Sequence, residues 1–439
     1  MSEQSWAFET RQIHAGQTPD SATGARALPI YQTTSFDFGD AKTAADRFAL
    51  SDLGPIYTRI TNPTQEAVEG RLASLEGGVG ALLLSSGMAA TTFAILNVAS
   101  AGDHVVASAA LYGGTYNLLK YTLPRLGIET TFVEDQADMQ AWKDAIRPET
   151  KVLFGETLSN PDVQVLDVAA VADVAHEAGL PFFVDNTVAT PYLLRPIEHG
   201  ADVVIHSVTK FLGGHGTSIG GALVDAGSFD YAKDPERFPA FNTPSESYHG
   251  LVFARDLGVG CALGANLAFI LKARVELLRD LGAAISPFNA FLLAQGIETL
   301  SLRMERHVEN ARKVAEYLDG HAQVSKVNWA SLPGHPENER AQRYTPKGSG
   351  AVLSFEIDGG LEAGKAFVDA CELHSLVANI GDVRSLVIHP ASTTHSQGSD
   401  EDRLGAGVTP GLVRLSVGLE HIDDILADLD KGFAAAKNA

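Results

Sequence analysis

Cysteine is scarce in this chain: Cys261 and Cys371 are the only two among 439 residues. That excludes a disulfide framework and fits a reducing compartment. Positive charge is also in deficit. Lys and Arg number 33 against 54 Asp and Glu, for a formal net charge of −21. A nucleic-acid or anionic-membrane partner is therefore not expected, because its phosphates would be repelled. An anionic ligand would have to be gripped by local donors. Apolar runs are short, and none reaches the ~18 residues that a membrane-spanning helix needs. The opening residues Met1 to Trp6 lack the basic stretch and apolar core of a secretion signal. No internal repeat or low-complexity tract points to a solenoid. The expectation at this level is a soluble, cytoplasmic protein.

What is present suffices to fill a core. Apolar residues make up 45% and charged residues 20%, a balance that excludes wholesale disorder, and the length calls for two or three domains. Residues 1–62 read as an arm. Pro29, Pro55 and Pro63 punctuate it, and its aromatics, Trp6 to Tyr57, follow no helical period. Residues 63–285 read as the large domain. A helix over Gln65–Leu75 is stopped by Gly77-Gly78, and a short strand at Ala81–Leu84 runs into the turn Ser85-Ser86-Gly87-Met88. A helix over Ala89–Leu96 follows. Strand-like runs recur at His104–Ala107, Thr130–Val133, Val152–Phe154, Pro181–Val184 and Val203–His206, with a helix at Val168–Ala178. This alternation predicts an α/β fold with a mostly parallel sheet covered on both faces. Beyond Gly221 the pattern loosens into a Pro-rich, insertion-like region. Residues 286–439 read as a smaller α+β domain. It has one long helix from about Pro287 to Leu318, strands at Ala351–Ile357 and Leu412–Val417, and a helix at Glu362–Cys371.

Two segments carry chemistry. Phe182-Phe183-Val184-Asp185 is an apolar strand ending in an acid, and Asp202 to Thr209 is another running into Lys210. The acid and the lysine lie 25 residues apart, which suits one strand–helix–strand step. Ligands gather beyond the carboxyl ends of parallel strands. An acid and a lysine delivered there meet the needs of a pyridoxal-phosphate (PLP) site. The lysine forms an imine with the aldehyde, and the acid keeps the ring nitrogen protonated. Burial or a nearby cation would lower the lysine's pKa and free its amine. Ser207 and Thr209 are placed to aim hydroxyls at the phosphate, and Ser86-Gly87-Met88 to present backbone N–H groups at a helix start. Taken singly, each feature has an ordinary reading: a helix cap, a solvated charge, a turn. Their joint occurrence in this order is what carries weight.

Further motifs extend the pattern: Tyr57-Thr58-Arg59, Asn62-Pro63-Thr64, Tyr112-Gly113-Gly114-Thr115, Glu156 to Pro161, Asp185-Asn186-Thr187 and Val413-Arg414-Leu415-Ser416-Val417-Gly418. On these residues the whole chain resembles the Cys/Met-metabolism family of PLP enzymes. The resemblance implies the aspartate-aminotransferase-like fold (fold type I), with a mostly parallel seven-stranded large-domain sheet and a smaller α+β C-terminal domain. It implies Lys210 as the covalent anchor and proton shuttle, Asp185 on the ring nitrogen, and Tyr112 stacked on the ring, with Tyr112 and Tyr57 joining Lys210 as catalytic residues. It also implies Ser86, Gly87, Met88, Ser207 and Thr209 on the phosphate, joined by Tyr57 and Arg59 of a neighbouring subunit. Asn160 would lie near the ring hydroxyl. Arg414 would clamp the substrate carboxylate, a bidentate task that a guanidinium suits, with Ser385, Asn160 and Tyr57 also lining the substrate site.

Within the family, lyases and synthases acting on cystathionine carry a Ser-Leu-Gly-Gly-x-Glu-Ser stretch. Here the corresponding segment is Asn379-Ile380-Gly381-Asp382-Val383-Arg384-Ser385, with Arg384 where the acid would fall. That disfavours recognition of a second amino group. The opening Phe8–Gly16, the Pro244–His249 tract and Val387–His395 are similar to O-acetylhomoserine sulfhydrylases. The resemblance implies O-acetyl-L-homoserine and sulfide as substrates, γ-replacement as the reaction, and a homotetramer built as a dimer of dimers. Methionine γ-lyase-type elimination, sulfhydrylation of O-succinylhomoserine or O-acetylserine, and a catalytically silent scaffold remain alternatives. His389 and His395 lack the spacing of a helical ligand pair and have no supporting acid or thiol cluster, so no metal is expected.

Overall fold

The computed structural model describes residues 5–161, 163–394 and 407–439. Its centre is a seven-stranded sheet made of β1 (Gly80–Leu84), β2 (His104–Ser108), β3 (Glu129–Val133), β4 (Thr150–Glu156), β5 (Phe182–Asp185), β6 (Val203–His206) and β7 (Gly221–Asp225). The strand order is β1-β7-β6-β5-β4-β2-β3. Every pairing from β6 to β3 is parallel, and β7 runs antiparallel to both its neighbours. Strands β2, β4, β6 and β7 are buried along their whole length, which is why they read as unbroken apolar runs rather than alternating ones.

Three expectations change. The loose region after Gly221 begins with β7, hidden because Gly220-Gly221 reads as a break although Ala222 to Val224 are fully buried. The connection from β5 to β6 is not a full helix. It is a single turn, Thr190–Leu193, and a 3-10 turn, Pro196–His199, because Pro191 and Pro196 can each stand only at a helix start. The long helix expected over Pro287–Leu318 is two helices, Pro287–Ile297 and Leu300–Asp319. Their apolar pattern continues across the joint. Buried Arg303 occupies the carbonyl freed there, donating to Gly296 O at 2.6 Å and to Phe211 O at 2.6 Å. The joint is thereby tied to the loop that follows Lys210.

A second sheet has β8 (Val324–Asn328), β9 (Val352–Ile357), β10 (Ser375–Leu376), β11 (Leu386–Ile388) and β12 (Leu412–Ser416), in the order β10-β11-β12-β9-β8. The helices Gly360–Ala370 and Ile422–Ala436 cover it through Phe355, Phe367 and Phe433, whose rings meet at 4.9–5.8 Å. The N-terminal segment holds two short helices that its irregular pattern concealed, Phe8–His14 and Ala41–Phe48. Arg71, 1% exposed, pins the first by donating to Ile13 O and Ala15 O while pairing with Glu298 at 3.2 Å. Among the described residues, no helix is long and apolar enough to cross a membrane.

Candidate active site

The carboxyl ends of β5 and β6 bring the acid and the lysine to one edge of the large sheet. β5 ends on Asp185, whose Oδ1 accepts from the Thr187 N–H at 2.8 Å. Desolvation at the strand ends raises its carboxyl above the ordinary carboxylate range, and nearby His206 opposes the rise. A cation held against Asp185 would relieve that cost. Behind it lies a buried network that the sequence did not reveal. His206 Nε2 and Glu76 Oε1 are 2.6 Å apart, and Asn186 donates to the same oxygen at 3.0 Å. Thr157 donates to Asn186 Oδ1 at 2.9 Å. With neither His206 nor Glu76 exposed at all, this network fixes the backbone on either side of Asp185.

The turn between β1 and the helix Gly87–Val98 forms a second part of the site. Ser86 caps that helix, its Oγ accepting from Ala89 N at 3.1 Å and its carbonyl from Ala90 N. Gly87 and Met88 are left as the open N–H donors of the first turn among the described residues. A Cβ on Gly87 would fall 2.7 Å from Ser207 Cβ, so only glycine lets the helix start meet the lysine-bearing segment. Ser207 N–H donates to Thr187 Oγ1 at 2.8 Å. The Thr209 hydroxyl donates to Gly220 O at 3.1 Å and accepts from Gly220 N at 3.0 Å, bracing the loop after Lys210.

The opposite wall comes from the smaller sheet. Lys210 Nζ donates to Asn379 Oδ1. Burial lowers the amine's pKa, and the Arg414 guanidinium lowers it further. Arg414 on β12 donates from Nη2 to the Asn379 main-chain carbonyl at 3.0 Å and from Nη1 to Asn160 Oδ1 at 3.2 Å. Its Nε is buried without a partner among the described residues. Desolvation brings the guanidinium down to about 10, partly offset by the nearby Tyr112 hydroxyl. Tyr112 is 51% exposed, and its backbone N–H donates to Glu156 Oε1 at 2.7 Å.

The structure thus gathers Lys210, Asn160, Arg414 and Tyr112 into one cluster, with Ser86, Gly87, Met88 and Ser207 beside the lysine-bearing segment and Asp185 at the adjoining strand end. Tyr57 and Arg59 stand apart. They contact each other, with the guanidinium 5.4 Å from the ring centroid, and Arg59 influences Asp280 rather than Lys210. Ser385 has no exposure, and its hydroxyl donates to Glu420 Oε2 at 2.9 Å while accepting from Gly418 N at 2.9 Å, which supports the segment. His389 has both ring nitrogens engaged, with Ser392 Oγ and Pro410 O at 2.8 Å each; His395 lies outside the described residues. Asn379 was missed as a site residue. The one signal was its place in the segment that departs from the lyase pattern.

These groups fit PLP: a desolvated carboxylate for the ring nitrogen, open amides for a phosphate, and a buried amine whose pKa is lowered. The comparisons agree. The chain is 56% identical over 433 residues to the O-acetyl-L-homoserine sulfhydrylase of Corynebacterium glutamicum, covering 98% of this chain and 97% of that protein. It is 50% identical over 435 residues to the homocysteine synthase of Schizosaccharomyces pombe, covering 98% of each. A crystal structure from Campylobacter jejuni, described as an O-acetylhomoserine (thiol)-lyase carrying a pyridoxyl-lysine monophosphate, superposes with a TM-score of 0.92. It is 40% identical, with 98% of this chain and all of that one covered. The family model for Cys/Met metabolism PLP-dependent enzymes matches residues 9–434, and the chain belongs to that family.

Proposed function

We propose that this chain catalyses γ-replacement on O-acetyl-L-homoserine, joining hydrosulfide to the γ-carbon and releasing acetate to yield L-homocysteine. The observation that carries this reading is the meeting of the Lys210 amine and the Arg414 guanidinium at Asn379. A carboxylate anchor and a base of lowered pKa stand side by side there, as removal of the proton between a carboxylate and an amine requires. The names of the relatives supply the substrate.

PLP, when bound, supplies an electron sink for the electrons released at the substrate's α-carbon. The chain's residues do the rest. Gly87 and Met88 amides and the Ser207 hydroxyl hold the phosphate, and Ser86 caps the helix that presents them. The Asp185 carboxylate would keep a proton on the ring nitrogen, and the Tyr112 ring would pack on the cofactor. Arg414 takes the α-carboxylate in its fork, steadied by Asn160. Lys210 anchors the cofactor, then removes the proton from Cα and moves protons at the neighbouring carbon. The Cγ–O bond breaks with its electron pair leaving on acetate, and the sulfur of hydrosulfide bonds to Cγ. Lys210 finally returns a proton to Cα. Arg384, 65% exposed and paired with Asp382, stands where an acid would recognise a second amino group, which suits a small nucleophile.

Three further readings belong to this proposal. The three units are 1–62, 63–285 and 286–439. The protein works in the cytoplasm, a reducing compartment that its two cysteines fit. It assembles as a homotetramer of two dimers, in which Tyr57 and Arg59 of one chain reach the phosphate of the other. Arg59 Nε is buried without a partner among the described residues, and Tyr57 is 41% exposed. Each of Arg59→Ala and Lys210→Ala should be nearly inactive alone, yet mixed dimers of the two should regain a fraction of activity. No recovery in verified mixed dimers would show that each chain builds its own site.

The reaction itself is tested by comparing kcat/KM for O-acetylhomoserine, O-succinylhomoserine and O-acetylserine with sulfide. Homocysteine formation that needs sulfide and favours O-acetylhomoserine is expected. Release of a 2-oxo acid without sulfide would instead assign γ-elimination.

A further inference from the structure

Arg414 is on β12 of the smaller sheet and Lys210 lies in the turn after β6 of the larger one, and Asn379 hydrogen-bonds to both. Its side-chain carbonyl accepts from Lys210 Nζ and its main-chain carbonyl accepts from Arg414 Nη2 at 3.0 Å. We propose that Asn379 is the positioning residue of the proton-transfer step: it sets the distance between the carboxylate anchor and the base within a single residue. This inference rests on the roles assigned above to Lys210 and Arg414.

The backbone around Asn379 is held where such a task needs it. Gly381 has φ +73°, and a Cβ there would lie 2.5 Å from Phe211 N and 3.1 Å from Lys210 Cα. Only glycine permits that approach. The Gly381 N–H donates to Ser416 Oγ at 2.9 Å, two residues beyond Arg414 on β12. Val383 N–H donates to Gly214 O at 2.8 Å, closing the contact to the loop after Lys210. The segment is therefore clamped against the backbone around Lys210 and against the Ser416 side chain of Arg414's strand, and Asn379 bonds to both functional residues.

Its chemistry also suits the task. A substrate's carboxylate is bonded to the α-carbon whose proton must be removed, so fixing the guanidinium relative to the amine fixes the base relative to that proton. An amide oxygen accepts from the amine but takes up no proton itself. A carboxylate at the same place would pair with the ammonium form and oppose the lowering of Lys210 that burial and Arg414 produce. Among the described residues, Arg414 supplies the charge acting on Nζ.

The experiment uses the holoenzyme and two variants, Asn379→Leu and the isosteric Asn379→Asp. Three quantities are read. The first is exchange of the α-hydrogen of L-alanine in D2O, which needs the base but no leaving group. The second is the dissociation constant of L-alanine, followed by the cofactor's absorbance. The third is the pH midpoint of that absorbance without substrate, which reports protonation at Nζ. Asn379→Leu should slow exchange about tenfold or more, the worth of one hydrogen bond to an ionisable group. Alanine affinity should stay within about threefold, because the main-chain arm to Arg414 survives. Asn379→Asp should raise the pH midpoint by about one unit and slow exchange at neutral pH, with the rate recovering as pH rises. Wild-type exchange in Asn379→Leu, an unmoved midpoint in Asn379→Asp, or affinity falling in step with exchange would each overturn the proposal. Borohydride reduction and peptide mapping keep the two levels apart. A cofactor found on a residue other than Lys210 would sink the underlying assignment, whereas one on Lys210 with unchanged exchange would sink only the role of Asn379.

Discussion

The wall contributed by the seven-stranded sheet presents strand ends and a helix start, whereas the wall facing it presents side chains held by partners from other elements. On the first, Asp185, Ser207 and Lys210 lie at the ends of adjacent parallel strands, and Ser86 to Met88 follow β1 directly. On the second, Asn160 meets Arg414 across 254 positions and Asn379 meets it across 35. Each arrangement suits what it would hold. A cofactor retained through many turnovers is gripped by strand ends and a helix start, whose positions the sheet fixes. A substrate that comes and goes meets side chains whose partners are shared, so Arg414 can exchange a contact to Asn160 for one to a carboxylate without being left bare.

Substitutions test this contrast, and the first wall should be the more sensitive in turnover. Lys210→Ala removes both anchor and base, so turnover should fall by at least about 10⁴-fold. Binding of PLP through the phosphate donors should persist, as absorbance after gel filtration would report. Near-normal turnover would refute the assignment. Asp185→Asn keeps the size but loses the charge opposite the ring nitrogen. Here kcat should drop by about a hundredfold or more with the fold intact by circular dichroism. A change below about tenfold, ~1.4 kcal/mol, would remove Asp185 from the electron-sink role. On the second wall, Arg414→Lys keeps the charge but not the fork. The expected loss is about ten- to a hundredfold in kcat/KM, mostly through substrate binding; an unchanged specificity constant would rule out carboxylate recognition.

The seam between the walls predicts an effect on stability rather than chemistry. His307 is unexposed, and its Nδ1 is 2.7 Å from the Val417 carbonyl. Burial holds its pKa down at about 4. The unfolded chain takes up a proton near the ordinary value of about 6.5. Protonation in that window therefore favours unfolding: His307's contribution is complete above about pH 6.5 and is lost as pH falls toward 4, amounting to about 3 kcal/mol. Urea midpoints of the wild type should decline across that window. The slope should lessen in His307→Gln, and an identical slope would show that other groups carry the acid sensitivity.

Much of the first wall was legible because its logic is local. An apolar run ending in Asp185 and another running into Lys210 announce strand ends by pattern alone, and Ser86-Gly87-Met88 reads as a helix start. Expectations failed where a distant partner overrode the local pattern. The helix break at Glu298-Thr299 depends on Arg303 reaching Phe211 O. The helices of the N-terminal segment are short, and their exposed faces leave no periodic apolar stripe to read.

The sequence by itself determined the α/β architecture, the acid and lysine at one sheet edge, and membership in a PLP-dependent family, because strand periodicity and ordered short motifs are properties of neighbouring residues. Tertiary structure alone decided that Asn379 bridges Lys210 and Arg414, that Glu76, His206 and Asn186 back Asp185, and that the Thr209 and Ser385 hydroxyls meet Gly220 and Glu420. These outcomes depend on which buried polar groups find each other once both sheets have closed. Burial makes an unpaired donor or acceptor costly, so each side chain settles on the partner that the assembled fold places within reach.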